Sequence, residues 1–169
     1  MPDYWLDSDS FITPKNGPYG FDIAPGFWDF IDQKGAEGII CSPILVYHEL
    51  VDETDDVLAK WARERQTTSL FVEPDEAVQA EFKEIADYVN GRYERSQAGE
   101  FLDGADPWVI AHARAGGGEV VTFEVPAPAS KRVKIPDVCA YYNIPWTDTY
   151  RMLRKLGFSL VQKGSLKAP

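Results

Sequence analysis

Long apolar runs are missing from this sequence. No segment reaches the roughly 18 consecutive apolar residues of a membrane-spanning helix. The longest apolar stretch, Ile39–Tyr47, is interrupted by Ser42 and Pro43. The first ten residues, MPDYWLDSDS, lack the basic-then-apolar layout of a secretory leader, so a cytoplasmic protein without membrane attachment is expected. Cysteine is scarce: Cys41 and Cys139 are far apart, each in an apolar context, and read as buried free thiols rather than a disulfide. Histidine is equally scarce. His48 and His112 have no partner at metal-ligand spacing, so a zinc site is not expected and both read as packing or surface residues. Neither G-x-G-x-x-G nor a Walker lysine motif occurs, so a cradle for nucleotide phosphates is not expected. Gly116-Gly117-Gly118 follows a helical pattern rather than a strand, which suits a helix stop. Internal repeats, low-complexity tracts and linker-like stretches are absent too.

What is present is a globular composition, 44% apolar and 13% aromatic over 169 residues, and a single domain spanning 1–169 is expected. Acid dominates, with a formal net charge of −10. The excess is uneven: residues 131–169 carry eight basic and two acidic side chains, the remainder nine basic and 25 acidic. An acidic whole would disfavour a polyanionic partner, but a basic C-terminal part can contact phosphates or stand as a solvated helix face.

Local patterns alternate strand and helix. Tyr4-Trp5-Leu6 reads as a first strand ending at Asp7, and Ser8–Gly20, rich in proline and glycine, as a loop. Pro25–Gln33 is a helix that Gly35 and Gly38 end. Ile39-Ile40-Cys41 is a second strand, after which Ser42 caps the helix Ile44–Val51. Asp56–Arg65 is helical, Ser69–Val72 extended, and Glu76–Gln97 one long helix with Val78, Phe82, Ile85, Val89 and Tyr93 on one face. Asp106 stands before Pro107 as the cap of an apolar helix, and Glu119–Thr122 is the strand after it. After the loop Val125–Lys134 come helices at Ile135–Tyr142 and Thr147–Lys155, the second capped by Thr147, and a last strand at Phe158–Val161. This alternation predicts an α/β fold with a mainly parallel sheet.

Four carboxylates recur at strand–helix junctions: Asp7, Glu49, Asp106 and Glu124. Ligands of open α/β sheets bind outside the carboxyl ends of the strands, where such positions can gather. Alone, each acid is ordinary as a cap or surface charge; together they suggest oxygen ligands for a hard divalent cation. Asp9 is a weak additional ligand or a loop cap, Asp103 a loop or first-turn acid, and Asp137 a helix-start acid. Thr122 reads as an ordinary β-branched strand residue, with orientation of a bound water as the alternative.

The stretches YWLDSDSFI, PILVYHEL and ADPWVIAHARAGGGEVVTFE resemble, in order, the acidic motifs of PIN-domain nucleases. Joined to KRVKIPDVC and RMLRKLGF, they look most like a PIN-like family known as a domain of unknown function, itself similar to the VapC toxins of prokaryotic toxin–antitoxin systems. The resemblance implies a three-layer α/β/α fold and Mg2+- or Mn2+-dependent endoribonuclease activity. It implies Asp7, Glu49, Asp106 and Glu124 as catalytic, metal-binding residues, an RNA substrate, an antitoxin partner and a homodimer. Asp9 stands where the pattern usually has a neutral residue, and Glu124 where VapC proteins more often have Asp. Lys131, Arg132 and Lys134 follow Glu124 closely and are candidate phosphate contacts. Two other readings compete. LDSDSF also resembles the D-x-D loop of haloacid-dehalogenase-type phosphatases, with Asp7 as nucleophile and Asp9 as acid/base; that leaves Glu49 and Asp106 without a role. The other is a catalytically silent PIN-like binding module.

Overall fold

In the computed structural model, which describes residues 1–52 and 56–161, three short apolar runs set the centre of a sheet. β1 (Tyr4–Leu6) is buried at every position, as is β2 (Ile40–Pro43), and β4 (Glu119–Val121) is buried but for its first residue. Continuous burial of this kind belongs to strands covered on both faces. β3 (Phe71–Val72) and β5 (Trp146–Thr147) complete a five-stranded sheet of order β3-β2-β1-β4-β5. Every pairing is parallel; Tyr4 lies opposite both Ile40 and Glu119, and Val121 opposite both Leu6 and Thr147. All strands therefore end on one rim.

Helices flank the sheet: α1 (Asp9–Asn16), α2 (Pro25–Ala36), α3 (Ile44–Asp52), α4 (Val57–Arg63), α5 (Glu76–Arg92), α6 (Arg95–Asp103), α7 (Asp106–Gly116), α8 (Ile135–Tyr142) and α9 (Thr149–Lys155). α7 packs on β1, β2 and β4 and is itself covered by α5. The core includes Leu6, Phe11, Phe27, Ile31, Ile40, Ile85 and Ile110, all fully buried. Cys41 and Cys139 are buried and free, as expected. Among the described residues no helix is long and apolar enough to cross a membrane. The basic C-terminal part is described only to Val161, and Lys163 and Lys167 lie outside the described residues.

Several local expectations are corrected. Ser8–Gly20 is not one loop: α1 occupies Asp9–Asn16, because Asp7 holds its first turn and Phe11 anchors it in the core. Pro14 sits inside this short helix, and the chain turns only at residues 17–19. Gly35 does not end α2; it stays helical, where a Cβ would come within 3.2 Å of Leu70. Ser42 is not a cap but part of β2, its hydroxyl donating to Leu6 O at 3.0 Å. The long helix over Glu76–Gln97 breaks at Tyr93, which is extended (φ −118°, ψ 159°), and α6 starts afresh after Glu94. Thr147 belongs to β5, and the cap of α9 is Asp148, accepting from Arg151 N at 2.8 Å. Phe158–Val161 is not a strand; Phe158 packs against Phe27, Phe30 and Tyr19 instead, and β5 takes the edge position.

Candidate functional site

The rim where the strands end opens into a cavity of about 340 Å³. Asp7, Asp9, Glu49, Asp106 and Glu124 all line it. The structure thus brings the four acids singled out in the sequence together, with Asp9 beside them.

Each acid is placed by the start of a helix. Asp7 leaves β1 and is only 2% exposed. Its Oδ1 accepts from Ser10 N at 2.8 Å, in the first turn of α1, and lies 2.6 Å from Ser10 Oγ. Thr122 also hydrogen-bonds this carboxyl. Glu49, on α3, accepts from Ala105 N at 2.7 Å, just before α7, and its other oxygen accepts from the Ser8 hydroxyl. Glu124 accepts from Ile135 N, the first residue of α8, at 2.7 Å and from Lys134 Nζ at 2.9 Å. Helix N-termini carry unpaired N–H groups and partial positive charge, so they suit carboxylates. Asp106 differs. It is not a cap; Ala105 holds that position, and Asp106 is the first helical residue, with no side-chain cap bond formed.

Charging this cavity is costly. Burial is the first cause that pushes the Asp7 carboxyl up to about 7, against the opposing pull of its Ser10 and Thr122 hydrogen bonds. Burial likewise leads for Asp106, pushed up to about 8, and Asp7, Glu124, Glu49 and Asp9 each raise it further by their charge. Asp9 is raised by burial and by Glu124, against the pull of Lys134. Neutralisation by an added cation would relieve this repulsion, and the donors are all hard carboxylate oxygens, which suit Mg2+ or Mn2+. The donor chemistry fits such an ion. As the side chains stand, however, no three His, Cys, Asp or Glu groups among the described residues are arranged to hold one. Glu49 and Glu124 are engaged by protein donors at both oxygens.

The candidate phosphate contacts divide. Arg132 and Lys134 line the cavity, whereas Lys131 does not. Lys134 is already paired with Glu124. Asp137, read as a helix-start acid, is one; both its oxygens also accept from Ala127 N at 3.1 Å, which closes the 125–134 loop. His48 is exposed and His112 is buried against Trp5, with ring centroids 4.5 Å apart.

The residues missed in the sequence are the supports. Ser8 and Ser10 flank Asp9 and hold Glu49 and Asp7; the alternation of small hydroxyl residues with acids in LDSDS is the signal that was there to find. Thr122 lies just past the end of β4 rather than in it, and its Oγ1 accepts from Glu124 N at 3.1 Å. Gln97 and Glu100 of α6 also line the cavity, and nothing in their spacing marks them.

Comparison with known proteins adds two findings. A chain in the crystal structure of VapBC2 from Rickettsia felis bound to a DNA fragment from their promoter superimposes with a TM-score of 0.53 at 12% identity. The match covers 86% of this chain and 97% of that one, and bears out the PIN-like α/β architecture at the level of fold. No curated protein matches the sequence. The model of a family described as a domain of unknown function, DUF4411, matches residues 4–160, and the chain belongs to that family.

Proposed function

We propose that this protein is a divalent-cation-dependent endoribonuclease of the PIN-like type, the toxin of a toxin–antitoxin pair. The observation that carries the reading is the gathering of Asp7, Glu49, Asp106 and Glu124 in one cavity, at an electrostatic cost seen in the raised Asp7 and Asp106 carboxyls. Carboxyls gathered where they repel and lose solvent mark a candidate functional site, and an added cation is one way to offset that repulsion. The four acids would hold Mg2+ or Mn2+, with Asp7 and Asp106 the pair whose ionisation the cavity opposes most.

When bound, the cation supplies Lewis-acid stabilisation of phosphoryl charge and lowers the pKa of water. The chain's own residues supply position. Arg132 and Lys134 stand at the mouth of the cavity to pair with the phosphates flanking the scissile bond. Lys134 can exchange Glu124 for a phosphate oxygen without leaving the site. Ile12, Phe101 and Val133 supply the apolar part of the wall. The structural neighbour is named as a VapBC pair with promoter DNA, which supports an antitoxin partner for this chain. A homodimer, in the cytoplasm, completes the reading.

The test is cleavage of several RNAs by purified protein with Mn2+. Asp7→Asn and Asp106→Asn should each lower the rate by about two orders of magnitude or more while the far-ultraviolet circular dichroism is unchanged. Cutting at the wild-type rate by both variants would sink the mechanism.

A further inference from the structure

A second hollow of about 380 Å³ opens on the same rim, between the ends of β4 and β5. It shares Glu124 with the acidic cavity, so the two are neighbours across one side chain. Its wall is aromatic: Phe123 and Tyr150 meet edge-on with centroids 5.4 Å apart, and Trp146 faces outward, 38% exposed. Val125 beside them is 71% exposed. Tyr150 is steadied from behind by Tyr19, whose ring lies flat against Phe27. The wall is therefore pre-arranged. Arg151 lines the outer end with its side chain 74% exposed, tied to Asp148 at 3.3 Å.

We propose that this hollow receives a base of single-stranded RNA, stacked on Trp146 and the Phe123–Tyr150 pair, when the adjoining phosphate lies in the acidic cavity. The inference rests on the nuclease reading and narrows its substrate. Three features select a nucleobase. Trp146 offers an exposed aromatic face beside the half-buried Phe123 and Tyr150, and any base can stack on such faces. The hollow adjoins the acidic cavity, with Glu124 lining both. Cations bracket that junction, Arg132 and Lys134 on one side and Arg151 on the other, as a phosphate backbone passing from one hollow to the next requires. A duplex keeps its bases stacked inside and offers none to such a wall, so the hollow favours unpaired strands.

The experiment uses the full chain carrying Asp106→Asn, which is expected to bind without cutting, and fluorescence anisotropy. The probes are a short fluorescein-labelled oligoadenylate, the same backbone with abasic riboses, and a blunt RNA duplex. The oligoadenylate should bind roughly tenfold more tightly than the abasic strand, and the duplex more weakly than the oligoadenylate. Adding Trp146→Leu or Phe123→Leu should erase the base-dependent difference. Trp146→Phe should restore most of it, which a merely structural role for Trp146 would not predict. If the leucine variants keep the full difference while the otherwise unaltered protein still cuts RNA, the stacking site is wrong and the nuclease reading stands. If no RNA binds and none is cut, both fall. If Trp146→Leu alters only self-association, seen by sedimentation, the wall belongs to a second copy and the proposal is overturned.

Discussion

Asp7 and Asp106 show what an acidic cavity costs, and the cost has a sign. Both carboxyls are raised above the ordinary value of 3.8, to about 7 and about 8. A carboxyl raised by folding contributes stability that is complete below its unfolded pKa and is lost as pH climbs through the folded one. The cation-free protein should therefore weaken between about pH 4 and pH 8 as these groups ionise. Asp106→Asn removes one of the repelling charges and should stabilise that form by on the order of 2 kcal/mol near pH 8, raising Tm by several degrees. Near pH 4 the same change should be close to neutral. Melting curves in a chelator at both pH values decide it; a variant no more stable than wild type near pH 8 contradicts the electrostatic account. His112 acts in the opposite sense. Burial pushes it down to about 4, so its contribution is present above the ordinary imidazole value and lost as pH falls through the folded one.

At the scale of elements, the helix–strand unit α7–β4 depends on its glycine turn. Gly117 and Gly118 both have positive φ, 77° and 97°. A Cβ on Gly118 would lie 2.7 Å from Pro2 O and 3.0 Å from Asp3 O, backbone atoms that cannot swing away. Gly118→Ala should cost about 2–4 kcal/mol. Gly116→Ala, whose Cβ meets only ordinary contacts at 3.5 Å or more, should change stability little. Paired melting curves check the contrast, and equal effects would refute it. Elements with one dominant signal were legible in the sequence. IPDVCAYY, with proline in its first turn, is helical over the predicted Ile135–Tyr142, and YWL is a buried strand. Elements decided by tertiary contact were not. α1 forms despite Pro14 because Phe11 is seated in the core and the Ser10 hydroxyl reaches Val121 O across the sheet, and no local window contains those long-range contacts. Phe158 looked like strand and is instead an aromatic plug on α2. The four acids were legible through their junction positions; the donors that orient them, such as the Ala105 amide, carry no side-chain identity to read.

For the whole molecule, parallel order is what makes the site. Because every strand runs the same way, the ends of β1, β2 and β4 and the starts of α1, α3 and α8 share one rim. Among the described residues, six acidic side chains line the cavity there against Arg132 and Lys134. Mn2+ at concentrations well above its Kd should therefore raise Tm by several degrees near pH 8. The gain should shrink near pH 5, where protons already neutralise Asp7 and Asp106; chelator should reverse it. A Tm indifferent to Mn2+ at both pH values would count against the cavity as a cation site. The amides of Ser10, Ala105 and Ile135 each point at a carboxylate from the head of a different helix. Drawing a carboxylate toward an ion would leave its helix head short of a partner. If an ion entered the rim, the heads of α1, α7 and α8 would fray, and amide exchange there would gauge what the cavity contains.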